Sequence, residues 1–304
     1  MSSTSTFSTR LTKLARGKGD ATRQAYVVGR RLLEPASFLA RRRAARRARP
    51  PEHVAVPDAD GFRIFAPGTF PEADEAAQEC RRLLDRSEEV LRERRKVRKD
   101  KQFLVNLLPA SSLTAAHPLI RLALRPDLLE SVMAYLGTVP MLRTIQVFYS
   151  GAVDREPVSS QLYHCDADDV RQLKIFLLCS EVRRENGPLT MLSAEASERI
   201  RRRTGYEYGD RLTDEQVAQV LGPHQPAELV GTVGTSCIVD TSRCFHFGSR
   251  VEAGAAPRLV AMIQYLSPFA FVVPFGSTGP FAHLAQPQHT PLQRAFLTGD
   301  HHHL

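Results

Sequence analysis

Up to Gly137 the apolar positions of this chain recur mostly with helical spacing, and beyond it they gather into short runs bounded by glycine or proline. A helix is predicted around Thr22 to Leu39, and a charged amphipathic helix over Glu72 to Val97. A further helical stretch covers residues 118–136, where Pro118, Leu119, Leu122, Leu128, Leu129, Val132 and Leu136 supply the apolar positions. Phe62-Arg63-Ile64-Phe65 reads as a short strand, followed by a turn at Pro67-Gly68. After Gly137, the segments Leu142 to Tyr149, Leu173 to Cys179, Leu189 to Leu192, Glu228 to Val233, Thr235 to Val239 and Arg258 to Leu266 read as strands, rich in Ile, Val, Leu and Phe. The polar stretch from Ser193 to Leu221 reads as a helical insertion. Helices first and strands afterwards predict an α+β fold built on an antiparallel sandwich or small barrel, whose interior can take a small ligand.

Charge changes this picture at one end only. Residues 1–50 hold 13 lysines or arginines against Asp20 and Glu34, a net +11, which leaves −3 for residues 51–304. The sequence pI of 9.5 therefore belongs to an appendage, and the main domain carries no nucleic-acid signature. Pro50-Pro51 marks the boundary. The expected division is a basic, flexible or helical extension over 1–56 and one domain over 57–304, with a barrel core at about 140–268 and the insertion at about 193–221. The extension is expected to be a solvated tail or helix, with contact to anionic surfaces as the alternative. The five cysteines (Cys80, Cys165, Cys179, Cys237, Cys244) have no CxxC spacing, which argues against a disulfide framework or a structural zinc and for a reducing compartment. No apolar run of membrane-spanning length occurs, so a soluble cytoplasmic protein is expected.

The chemistry-bearing residues are concentrated in the strand-rich half. His164-Cys165-Asp166 places an imidazole and a carboxylate on the same side of an extended chain, because side chains alternate with period two. A hydrophobic strand follows, then the turn Glu185-Asn186-Gly187-Pro188-Leu189, and later Asp240-Thr241-Ser242-Arg243-Cys244-Phe245-His246-Phe247-Gly248-Ser249, with Arg258 beginning another strand. Two histidines and one carboxylate on one face of an octahedron leave three positions open, which suits iron(II) chemistry with O2. A 2-oxo acid chelates through its keto oxygen and adjacent carboxylate. Its far carboxylate needs a cation, and Arg258 offers a planar fork.

On His164-Cys165-Asp166, Glu185-Asn186-Gly187-Pro188-Leu189, His246-Phe247-Gly248-Ser249 and Arg258, the chain resembles the phytanoyl-CoA dioxygenase-like family of Fe(II)/2-oxoglutarate-dependent oxygenases, over roughly residues 140–268. The resemblance implies a double-stranded β-helix, a jelly-roll or cupin-like barrel with flanking helices. It implies that 2-oxoglutarate and O2 become succinate and CO2 as a small or lipid-like organic substrate is oxidised. His164, Asp166 and His246 then hold Fe(II), and Arg258 anchors the cosubstrate. Asp166 fills the position that halogenating relatives leave to chloride, which points to hydroxylation or a related oxidation and leaves desaturation and ring formation open. Two segments depart from the family pattern: Met191-Leu192-Ser193-Ala194-Glu195 stands where Pro-Gly-Ser-His is common, and Phe247 separates the second histidine from Gly-Ser.

Plainer readings hold for other residues. His117, His224, His283 and His289 are expected in ordinary structural roles, and His301 to His303 in a loose tail that binds metals only adventitiously. Arg258 shares its parity with Val260, Met262, Gln264 and Leu266. Lys174 shares its parity with Phe176 and Leu178; facing inward it needs an anion, for which the cosubstrate or substrate carboxylate is the candidate, and facing outward it is a routine strand lysine. Asp168 and Asp169 read as turn residues, and Cys165 as turned away from a metal. The alternative from a different class is a catalytically inactive cupin-like module that binds a ligand or regulates.

Overall fold

The computed structural model describes residues 20–87, 103–152, 155–223 and 225–304. Its elements form two antiparallel sheets with helices around them. Strands β1 (Phe62–Phe65), β2 (Val105–Asn106), β3 (Met141–Ser150), β4 (Leu173–Leu178), β7 (Ser236–Val239) and β9 (Arg258–Leu266) make a six-stranded sheet in the order β1-β7-β4-β9-β3-β2. Strands β5 (Leu189–Met191), β6 (Ala227–Leu229) and β8 (His246–Phe247) make a smaller sheet in the order β6-β5-β8.

Register on the large sheet follows from which face is covered. Ile145 pairs with Ile263, and Ile175 with both Ile263 and Ile238, so one face is a continuous aliphatic surface. That face packs on helices α3 (Pro71–Asp85), α4 (Pro118–Ala123) and α5 (Pro126–Leu136) in the main core. Helix α3 presents Ala73, Ala76, Ala77 and Cys80, one buried stripe at helical spacing whose small side chains let it lie close to the sheet. The other face carries Leu178, Cys237, Val239 and Val260, which pack with Leu189, Met191 and Leu229 of the small sheet. The large sheet thus has a helix-covered outer face and an inner face turned to the small sheet.

Prolines set the helix boundaries. The stretch 118–136 is two helices because Pro126 disfavours helical backbone at Arg125, which is extended at φ −60, ψ 133. The helix expected over Thr22 to Leu39 likewise divides, at Glu34, into α1 (Asp20–Leu33) and α2 (Pro35–Ala45). Helix α3 turns out at Arg86 and Ser87, and the rest of the expected Glu72 to Val97 helix lies outside the described residues. The insertion forms α6 (Ala194–Thr204) and α7 (Asp214–Leu221), and α8 (Pro291–Thr298) lies near the C-terminus. The expected strand Glu228 to Val233 is shorter, because Val230 and Gly231 leave the ladder and Gly231 bridges to Val182 instead. β2 and β8 are too short to show any alternation in sequence.

Of the basic extension, residues 20–56 are described, and three of their arginines are buried against the domain. Arg23 and Arg41 are fully buried and Arg30 nearly so. Arg23 donates to the Asp169 carbonyl at 2.7 Å, and its guanidinium lies 3.5 Å from the Tyr208 ring centre. Arg30 donates to the Val273 and Pro268 carbonyls, and Arg41 to those of Val139 and Gly299. Helices α1 and α2 are thereby tied to the domain by arginines whose charge meets backbone dipoles. All five cysteines are free and buried. Among the described residues, no helix is long and apolar enough to cross a membrane.

Candidate metal centre

His164 and His246 face each other as an isolated antiparallel bridge: each donates its backbone N–H to the other's carbonyl, at 3.1 and 3.0 Å. Two residues on, the Asp166 N–H donates to the Thr241 carbonyl at 2.8 Å, which keeps the His164-Cys165-Asp166 segment running beside the chain that leads to His246. Alternation then sends His164 and Asp166 to one side and Cys165 to the other, where its thiol is buried beside Arg201. The two imidazole rings lie 4.3 Å apart between centres.

Both imidazoles use the same local device. His164 Nδ1 lies 2.9 Å from the Leu162 carbonyl and His246 Nδ1 lies 3.0 Å from the Cys244 carbonyl. A carbonyl only accepts, so each Nδ1 carries the hydrogen and each Nε2 keeps its lone pair. Those Nε2 atoms face the same carboxylate: His164 Nε2 is 3.7 Å from Asp166 Oδ1 and His246 Nε2 is 3.8 Å from Asp166 Oδ2. One donor atom from each residue lies within 4.8 Å of the others. Donors bound about 2.1 Å from one ion at right angles sit about 3 Å apart, so small side-chain movements would close this set on a metal.

The electrostatics favour the ligand forms. Burial, with His246 alongside, lowers the His164 pKa to about 3, and burial also lowers that of His246, so both rings are neutral. For Asp166 burial acts in the raising direction, but Lys174 and the two histidines outweigh it and hold the carboxyl well below the usual range. Neutral imidazoles and an ionised carboxylate are what a divalent cation requires.

Lys174 is on the inner face of β4 and donates to Asp166 Oδ2 at 2.7 Å. An inward lysine here needs an anion, and within the protein the anion it meets is Asp166. This leaves Oδ1 turned toward His164. Arg258 opens β9 opposite Ser150. It is buried, and burial alone lowers its pKa to about 10. Its Nη2 donates to Ser249 Oγ at 2.7 Å, while its Nε is buried with no hydrogen-bond partner among the described residues. A buried guanidinium held by one neutral hydroxyl is a standing deficit of negative charge, which an anion would fill.

The segment around Ser249 is built for that contact. Ser249 has a left-handed backbone, φ 63, unusual for a residue with a side chain. Three bonds hold it there: its N–H to the Gly187 carbonyl at 3.0 Å, its carbonyl from Gln161 Nε2 at 2.8 Å, and its hydroxyl against Ser150 Oγ at 3.0 Å. The Glu185-Asn186-Gly187 turn is the brace, since a Cβ on Gly187 would meet the Arg250 backbone at 2.5 Å. Gly248 is similarly placed, with a Cβ there meeting Arg258 Nη2 at 2.9 Å. Ser249 stands in the His246-Phe247-Gly248-Ser249 motif and Ser150 in no motif, yet both belong to the Arg258 cradle. Nothing local in the sequence marks Ser150, whose role comes from its register opposite Arg258.

The remaining candidates sort into scaffolding. Asp168 Oδ2 accepts from Gln264, which also donates to Gln172 on the inner face. Asp169 is buried, accepts from the Val170 and Ser267 N–H groups, and is pushed up to about 7 by burial. Tyr163 packs edge-on against Phe247 at 4.7 Å. His117 caps α4 by accepting from Leu119 N, and His289 Nδ1 accepts from Gln286 N. His224 lies outside the described residues. Asp300, His301 and His302 form a second, more exposed group of potential ligands.

No protein-family model matches this chain, and no curated protein matches it. Among solved structures it is similar to EctD from S. alaskensis with bound Fe, at 19% identity over 69% of this chain and 74% of that one, with a TM-score of 0.48. It is also similar to the same protein with 2-oxoglutarate and 5-hydroxyectoine, at 20% identity over 69% and 73%, TM-score 0.48. A third similar structure is HygX from Streptomyces hygroscopicus with nickel and 2-oxoglutarate bound, at 16% identity over 70% and 84%, TM-score 0.45.

Proposed function

We propose that this chain is an Fe(II)- and 2-oxoglutarate-dependent oxygenase, similar to the phytanoyl-CoA dioxygenase-like enzymes, that oxidises a small or lipid-like organic substrate with O2 and releases succinate and CO2. The observation that carries the proposal is the pairing of two sites in one interior: two neutral imidazoles converging on one ionised carboxylate, and a buried guanidinium that has no carboxylate partner among the described residues. The strand order supports a double-stranded β-helix for the core, with β7-β4-β9-β3 facing β6-β5-β8 and the His164 bridge continuing the small sheet past β8.

Iron, when bound, supplies the redox chemistry that couples O2 reduction to oxidation of a C–H bond. The protein's part is to hold and exclude. His164 and His246 offer Nε2 because their Nδ1 hydrogens are committed to carbonyls, and Asp166 offers the third donor on the same side. A set of only three protein donors would leave part of a bound ion's coordination shell to small molecules. Lys174 fixes the Asp166 carboxylate and adds positive charge beside the cosubstrate's path. Arg258, with Ser249, takes the distal carboxylate of 2-oxoglutarate, an anion that matches its fork and satisfies its orphaned donor. Asp166 keeps the third position filled by protein, which favours hydroxylation or a related oxidation over halogenation.

The test is anaerobic addition of Fe(II) and 2-oxoglutarate. The chelate is expected to give a visible metal-to-ligand absorption band, and exposure to O2 to yield succinate. Iron binding without that band, and without succinate, would leave a ligand-binding module in place of the enzyme.

A further inference from the structure

The two N-terminal helices divide their arginines between two roles. Arg23, Arg30 and Arg41 are buried and committed to backbone carbonyls. Arg42, Arg43, Arg46 and Arg47 are exposed. Leu39 precedes Arg42 and Arg43 by three and four residues, so it shares their outward stripe on α2. On α1, Val28 and Leu32 form an exposed i, i+4 pair, and Leu33 ends the helix. Leu32, Leu33 and Leu39 are 75%, 71% and 59% exposed. Phe275, also 59% exposed, stands beside α1, its ring 5.6 Å from the Arg30 guanidinium. Phe38 sits between Arg31 and Arg42, at 5.4 and 5.8 Å, which joins the two helices' charges into one patch. Among the described residues, five of the eight exposed large apolar side chains lie on or beside these helices. Such clustering of apolar surface within a charged rim marks a contact surface.

We propose that this patch docks the protein on an anionic lipid membrane, with the leucines entering the acyl boundary and the arginines meeting headgroup phosphates. Charge complementarity selects this occupant. The acids between residues 20 and 49 are Asp20 and Glu34, and Glu34 is already paired with Arg30 at 3.3 Å. In sequence, residues 1–19 carry Arg10, Lys13, Arg16 and Lys18 and no acid. A second copy on a two-fold axis would set the same arginines against each other. A nucleic acid would meet the arginines and leave the leucines in water.

Flotation of the full chain with vesicles tests this. The protein should float with phosphatidylcholine vesicles containing phosphatidylserine and not with phosphatidylcholine alone, and raising salt from about 0.1 M to about 1 M should release it. Leu32→Ser/Leu33→Ser should weaken vesicle binding about tenfold or more, because the apolar area withdrawn from water is lost. Arg42→Glu/Arg43→Glu should weaken it at least as much. These side chains are exposed, so thermal unfolding should be unchanged in both variants. Absence of binding, equal binding to neutral vesicles, or full binding by the serine variant each overturns the proposal. So does retention on RNA in place of vesicles, or a concentration-dependent dimer that the serine variant abolishes. None of these measurements requires bound iron, so the outcome is independent of the oxygenase reading.

Discussion

The outer and inner faces of β4 and β9 are both packed, yet they differ in kind. Outward, Leu173, Ile175, Leu177, Leu259, Ala261, Ile263 and Tyr265 meet the helices, and the one polar tip, Tyr265 Oη, donates to the Ala123 carbonyl at 2.8 Å. Inward, the alternate residues of the same strands include Lys174, Gln264 and Arg258 among Phe176, Leu178, Val260 and Met262. Apolar burial explains the first face without remainder. On the second, each polar group adds a desolvation penalty that needs a partner. Lys174 has Asp166 and Gln264 has Asp168 and Gln172, but among the described residues Arg258 has only a hydroxyl. The group that folding alone does not explain is the one that calls for a ligand.

The sharpest way to break this contrast is at the donors. His164→Ala or Asp166→Ala is expected to reduce succinate formation to the protein-free background while the fold persists, checked by single-turnover product analysis beside thermal unfolding. Persistent turnover in both variants removes the metal assignment. Next is the orphaned cation. Arg258→Gln should weaken 2-oxoglutarate binding about thirtyfold or more, roughly 2 kcal/mol or above, measured by titrating the visible band. Its stability should stay level or rise, since a buried charge without a counter-ion is removed. Unchanged affinity would place the anion site elsewhere.

The outer face should respond in the opposite sense. Ile263→Ala is expected to destabilise the domain by about 2–5 kcal/mol in urea unfolding and to leave 2-oxoglutarate affinity within about twofold in the protein that remains folded. A fall in affinity like that of Arg258→Gln would mean that the two faces are not separable. The smallest effect concerns acid. In metal-free protein His164 is held neutral with a pKa of about 3, against about 6.5 unfolded. The unfolded chain then binds the proton more readily. Stability is full above about pH 6.5 and declines as pH falls toward about 3. His246 and Asp166, both lowered, act in the same direction. A pH series of urea midpoints should slope downward over this window, and His164→Gln should flatten it; equal slopes would show that other groups control acid lability.

Much of the framework was legible from alternation alone. Arg258 to Leu266 matches β9 residue for residue, and the parity that grouped Arg258 with Val260, Met262 and Gln264 is the inner face. Local rules failed where stereochemistry intervened, as at Pro35 and Pro126, each of which starts a new helix where periodicity ran on. Composition also says nothing of which arginines are buried: Arg23, Arg30 and Arg41 find carbonyl acceptors and aromatic faces that only the packed domain provides.

The sequence by itself determined which groups are available and which of them share a side, since alternation of side chains and the constraints of proline are properties of neighbouring residues. Only the tertiary structure decided that His164 and His246 become cross-strand partners, that Lys174 meets Asp166, and that Arg258 is buried against Ser249. Pairing and desolvation depend on how distant strands close around one interior, and no local pattern encodes that closure.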